Sequence, residues 1–175
     1  MRAHHFRVCL LVAALARCTL PPSPTPPPES DHRARLEGVV VDRFEHDDLA
    51  SSTHLERAIV DRETGKVEGE QATARVLGEG PDPRAVITAP RAEADLRART
   101  VRMSGGVRLV DDEGRVMTTE VLRYRAAEDD LQSEGAVRVE GAGFTVDGAR
   151  LVGQPKAGQL ELEGPVEART KPSAE

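Results

Sequence analysis

The stretch Val101-Arg102-Met103-Ser104-Gly105-Gly106-Val107-Arg108-Leu109 sets an apolar or glycine residue at every odd position and a polar, charged or glycine residue at every even one. Successive side chains on a β-strand point to opposite faces, so this stretch reads as a strand with one apolar face and one wet face. The pattern recurs as Leu131, Ser133, Gly135, Val137, Val139 and again as Leu160, Leu162, Gly164, Val166, Ala168. The offsets, 131 − 101 = 30 and 160 − 131 = 29, make it an internal repeat.

A second strand belongs to each unit. Ile87-Thr88-Ala89, Met117-Thr118-Thr119 and Val146-Asp147-Gly148 stand at the same offsets, as do Ala92, Leu122 and Leu151. Turn-forming residues separate the strands at Asp111-Asp112-Glu113-Gly114, at Glu128-Asp129-Asp130 and around Pro155 between Gly153 and Gly158. The sequence therefore predicts an all-β fold of stacked antiparallel hairpins with a repeat of about 30 residues. The apolar phase slips between Thr119 and Leu122, which predicts a bulge or corner there.

Composition narrows the function. A length of 175 residues suits one domain of ordinary size. The 24 basic residues are outnumbered by 30 acidic ones and alternate along strands without forming a patch, so nucleic acid is excluded as a partner. Aromatic residues make up only 2%, and a core of Val, Leu, Ile, Met and Ala fits a thin two-layer structure, either filled or left open between its layers.

At the N-terminus, Arg2 and Arg7 precede an apolar run over residues 8–16. As a helix it spans about 14 Å against roughly 30 Å of hydrocarbon, so it is a secretory h-region and not a membrane span. Two processing routes are open: cleavage after Ala14-Leu15-Ala16, or lipidation at Cys18 of the lipobox-like Leu15-Ala16-Arg17-Cys18. Residues 1–18 thus form a signal or lipoprotein-type segment. Residues 19–35 form a Pro-rich linker in which Pro21 to Pro28 favour an extended spacer of roughly 25 Å. The folded domain is expected over residues 36–170, with a tail over 171–175.

Within that domain, Leu36, Gly38, Val40 and Asp42 repeat Met103, Gly105, Val107 and Leu109 as an early copy, with Phe44 on the same face. His46-Asp47-Asp48 and Ser51-Ser52 mark a turn before a strand near residues 55–61. A hairpin turn at Glu63-Thr64-Gly65 leads into a strand over 66–77, and residues 78–83 form a loop. Residues 92–99 have the composition of a short helix, but their equivalence to 122–128 favours strand. No nucleophile, phosphate loop, metal-ligand spacing or cofactor motif stands out, so neither catalytic nor metal residues are assigned.

Met103-Ser104-Gly105-Gly106-Val107, the run from Gly114 through Thr118 and Leu122 to Tyr124, Ser133-Glu134-Gly135-Ala136-Val137 and Leu162-Glu163-Gly164-Pro165-Val166 together resemble the LptC family of lipopolysaccharide export, related to the OstA-type β-jellyrolls. The resemblance implies an open, twisted β-jellyroll. It also implies a periplasmic protein, tethered to the inner membrane by its N-terminus. Such a protein takes lipopolysaccharide from an inner-membrane ABC transporter and passes it along a β-jellyroll bridge.

Acyl chains need plain apolar walls. The candidate lipid groove comprises Met103, Val107, Leu109, Met117, Leu122, Tyr124, Val137, Val139, Phe144, Leu160 and Leu162, with Gly105, Gly135 and Gly164 expected to face inward and widen it. An arginine at Leu109 or Val137 is expected to block lipid passage. The candidate partner edges are Val39, Val40 and Val41 toward the transporter, and Gly164 and Val166 toward a periplasmic bridge jellyroll. A soluble bridge or lipid chaperone, and a structural β-repeat module without lipid, are the alternatives.

Overall fold

The alternation is realised as ten antiparallel strands in a computed structural model that describes residues 32–45, 47–77, 82–155 and 159–170. They are β1 (Arg33–Glu45), β2 (Asp48–Asp61), β3 (Lys66–Val76), β4 (Ala85–Asp95), β5 (Thr100–Asp111), β6 (Val116–Arg125), β7 (Asp130–Ser133), β8 (Val137–Gly141), β9 (Phe144–Gln154) and β10 (Gln159–Thr170). All belong to one sheet that follows chain order, with β1 and β10 at its two edges. β7 and β8 share a single place between β6 and β9, as two halves of one interrupted strand. β5, the β7–β8 pair and β10 begin at residues 100, 130 and 159, which reproduces the offsets of 30 and 29 read from the sequence. The fold is an open, all-antiparallel β-jellyroll.

A flat sheet cannot cover its own apolar face, yet Val107 is 1% and Val137 2% exposed. The sheet covers itself by folding along a crease that crosses its strands. On β5 the crease is Gly105-Gly106, where the ladder to β6 shifts register between Ser104 and Val107. Gly38 on β1, Gln71 on β3, Gly135 between β7 and β8, and Gly164 on β10 continue the line, all with positive φ. Glycine enters that region with no Cβ penalty, which is why the repeat keeps it there. The intervening strands β4, β6 and β9 pass the crease at Pro90-Arg91, Glu120-Val121 and Ala149-Arg150, where burial loses its alternation. The corner expected between Thr119 and Leu122 is therefore present, and β5 carries the extra residue opposite it.

Both halves of the folded sheet feed one buried cluster. Ala58, Ala72, Ala74, Ala89 and Ala92 dominate it on β2–β4, while Met103, Val107, Met117, Leu122, Leu131, Val137 and Leu151 supply it from β5 to β9. Between these layers the interior is filled. Where β7 gives way to β8, two hydroxyls replace lost ladder bonds. Ser133 Oγ donates to Gly135 O (2.9 Å) and accepts from Leu151 N–H (2.8 Å), and Thr119 Oγ1 donates to Ala136 O (3.0 Å). Aspartates close the turns: Asp61, Asp95 and Asp111 each accept two backbone N–H groups from the residues that follow.

Four expectations are corrected. β1 begins at Arg33, three residues before the expected start. Ser51 and Ser52 lie within β2, paired with Arg43 and Asp42, because the reversal is completed by residue 48. Residues 92–95 continue β4, as preferred, but 96–99 form the turn to β5. Val40 and Phe44 lie on the outer face, since Gly38 shifts the phase and Val39 pairs with buried Leu55. The expected turn at His46 and loop over 78–83 fall partly outside the described residues, as do the 153–158 turn and the linker. The segment 1–18 and the tail 171–175 lie wholly outside them.

Candidate functional site

Ladder registers line up the inner side chains in rows that run from one edge of the sheet to the other. One row is Leu36, Ala58, Gly69, Ala92, Met103 and Leu122, continuing through Ser133 and Leu151 to Leu162. Across the crease, another is Val41, Thr53, Ala74, Ile87, Leu109, Met117, Val139, Val146 and Ala168. Paired residues share a face, so these rows are a continuous, mostly apolar lining.

The lining is covered in the middle and bare at the ends. Of the candidate groove residues, Met103, Val107, Met117, Leu122 and Val137 are buried, packed against the opposite layer. Leu109, Tyr124, Val139 and Leu162 are half-buried against the same cluster. Phe144 is half-buried, its ring filling the space that a Cβ at Gly141 would take. Leu160, on β10, is 55% exposed. Among the candidate edge residues, Val39 is half-buried, Val40, Val41 and Val166 are exposed at 57%, 38% and 50%, and Gly164 is exposed. All lie on the two edge strands, β1 and β10. Cys18 lies outside the described residues.

The glycines are a correction. Gly135 and Gly164 are exposed and Gly105 is half-buried, so they build the crease and do not widen a cleft. Two inner residues escaped the sequence reading of the site. Leu36, 43% exposed, precedes Gly38 as Met103 precedes Gly105, so the repeat carried the signal. Arg43 carried none, because the phase set by Val40 and Phe44 assigned it to the wet face.

Electrostatics divide the two faces. Outside, Glu134 accepts from Arg102 Nη2 (3.2 Å) and from Arg123, and Asp147 accepts from Arg138 Nε (2.7 Å). The Arg102 hydrogen bond first, and Arg123 with it, holds the Glu134 carboxyl below its ordinary range; the Arg138 bond does the same for Asp147. Inside, burial first and the contact with Asp129 second push the Tyr124 phenol upward, and its O–H donates to Asp129 Oδ1 (3.1 Å). Among the described residues no group of three or more His, Cys, Asp or Glu could hold a metal ion.

A single antiparallel sheet, creased on itself, with an apolar lining and, among the described residues, an open edge on β1 and on β10, defines an open jellyroll. The chain belongs to the LptC-related family of lipopolysaccharide-assembly proteins, whose pattern it matches over residues 36–171. That family works in lipopolysaccharide transport and assembly. No curated protein matches the chain.

Proposed function

We propose that this protein receives lipopolysaccharide from an inner-membrane ABC transporter and passes it along a bridge of β-jellyrolls. In this reading β1 docks the transporter complex and β10 pairs with a periplasmic bridge jellyroll by strand addition. The chain is periplasmic, non-enzymatic and tethered by its N-terminus through lipidated Cys18. One observation carries the reading: the inner rows run the width of the sheet, and the inner face is bare where they reach its edges, at Leu36 and Val41 on β1 and, on β10, at Ala168 and the neighbouring inner positions Leu160 and Val166. Lipid enters where the rows are bare and parts the layers as it moves inward. Pro165 on β10 lacks a donor N–H, so an added strand takes its bonds from the rest of the strand.

A photo-crosslinking residue placed at Leu36 or at Leu160 should capture lipopolysaccharide in cells, while one at outer-face Arg102 should not. Absence of adducts at both edge positions in folded, correctly localised protein overturns the lipid path. The closed packing of the middle favours the second reading, a structural β-repeat module that joins partners without holding lipid. A lipid-binding assay on the full chain separates the two.

A further inference from the structure

We infer that Arg43 recognises the headgroup of the transported amphiphile, taking its phosphate at the mouth of the apolar interior. The inference rests on the lipid path proposed above. Arg43 follows Val39 and Val41 on the inner face of β1 and is the one cation among the described residues on that face of the strand; further along the same rung Arg115 is already paired with Asp111. It cannot be mistaken for an outward side chain. Its guanidinium lies 6.0 Å from the ring centroid of Tyr124, which belongs to β6, five strands away in the sheet and in the opposite layer. Nε donates to Ser51 Oγ at 3.4 Å and Nη1 to Glu45 Oε1 at 2.7 Å.

A charge on an apolar wall is costly unless an anion meets it. Here the anion is Glu45, on the same strand, and the pair still reaches solvent, at 32% and 37% side-chain exposure. The two hydrogen bonds engage two of the five guanidinium donors, and the remainder suit a tetrahedral, multiply charged oxyanion better than one carboxylate. Tyr124 steadies the flat cation from its face and Ser51 from its edge, so the group is aimed before any ligand arrives. Acyl chains over Val39 and Val41 bring a headgroup to Arg43, since two residues of strand advance only about 7 Å. An amphiphile with apolar chains and an anionic phosphate fits both the rows and the cation, and its phosphate displaces Glu45.

The test compares full-length wild type, Arg43→Gln and Glu45→Gln for binding to lipid A carrying its phosphates, to the same lipid A after phosphatase treatment, and to inorganic phosphate. Arg43→Gln should weaken binding of phosphorylated lipid A about tenfold, or about 1.4 kcal/mol, and leave the dephosphorylated lipid unchanged. Glu45→Gln should tighten the phosphorylated lipid about threefold, the size of a half-exposed ion pair, and a gain cannot come from misfolding. Equal effects of Arg43→Gln on both lipids, no effect on either, or unchanged affinity in Glu45→Gln overturns the assignment. Inorganic phosphate binding as tightly as the lipid also overturns it, by making Arg43 a free-anion site. Wild type that binds neither lipid overturns the lipid path itself, a different failure.

Discussion

The middle of the sheet and its two ends are written in the same alternating code but meet different surroundings. Val107 and Val137 are 1% and 2% exposed, whereas Val166, at the equivalent place in the last repeat, is 50% exposed; likewise Leu131 is 7% exposed and its equivalent Leu160 is 55% exposed. No difference in residue type explains this. A creased sheet covers a rung only where an opposite layer stands above it, and β10 has none over most of its length: Leu162 is its one half-buried side chain. β1 is similarly bare. Periodicity therefore tells which face is apolar, while position in the strand order decides whether that face is core or contact surface.

The sharpest way to break this contrast is to place the same charge in both regions. Val137→Arg buries an unpaired cation between layers, and it should destabilise the domain by about 4 kcal/mol or more in urea unfolding. Val166→Arg should stay within about 0.5 kcal/mol of wild type and lose crosslinking to lipid or to the downstream partner. Equal stability of the two variants would mean that the middle is not packed as described. A charge at Val137 thus reports on folding, and the edge positions are the ones that can report on lipid passage.

Truncation separates edge from core next. Removing residues 159–175 deletes β10 and the burial of Leu162, a loss of about 2 kcal/mol. The shortened chain should keep the circular dichroism of a β-protein and the transporter-side contact, yet fail to capture the downstream jellyroll. A folded truncation that still captures this partner would rule out β10 as the docking strand.

Much of the fold was legible because the repeat made it redundant. Leu131 and Leu160 confirm the phase of Val101, and turn aspartates such as Asp61 and Asp111 mark the strand ends. What was not legible came from the crease. Sequence alternation shows a slip at Thr119 to Leu122, where Met117 before it and Leu122 after it fix the two phases, but Gly38 hides an equal slip because valines stand at 39, 40 and 41 alike. That ambiguity turned Val40 and Phe44 inward on paper and left Arg43 outside. The packing of Met103 against the opposite layer was equally beyond reach, since pairing rules order strands within a sheet and do not say how tightly the sheet closes.

The crease itself can be probed with methyl groups. At Gly105, with φ of +91°, a Cβ would stand 3.4 Å from Pro90, and the surrounding ladders on both sides hold the strand in place. Gly105→Ala should cost about 2 kcal/mol. At Gly164 the Cβ would come within 2.8 Å of Ala149 Cβ, a harder clash, but β10 is free on one side and can yield. Gly164→Ala should cost about 1 kcal/mol. A larger loss at Gly164 than at Gly105 would show that the edge is held as firmly as the middle.

The smallest expected effect concerns the outer face of the middle. Glu134 sits at the break between β7 and β8, held by Arg102 from β5 and Arg123 from β6. Its hydrogen bond from Arg102, aided by Arg123 and opposed by partial burial, lowers its pKa in the folded state. A carboxyl with a lowered folded pKa stabilises the fold above its unfolded pKa, about 4.3, and that contribution disappears as pH falls through the folded value. Glu134→Gln should therefore be less stable than wild type at pH 7 and converge with it once the pH has fallen below the lowered folded pKa. With 37% of the side chain exposed, solvent screening keeps the gap at pH 7 below about 1 kcal/mol. Urea unfolding at several pH values measures it. A gap that does not shrink as the pH is lowered into the acid range would mean that Glu134 acts through packing at the strand break, and that its charge does not help tie the break to β5 and β6.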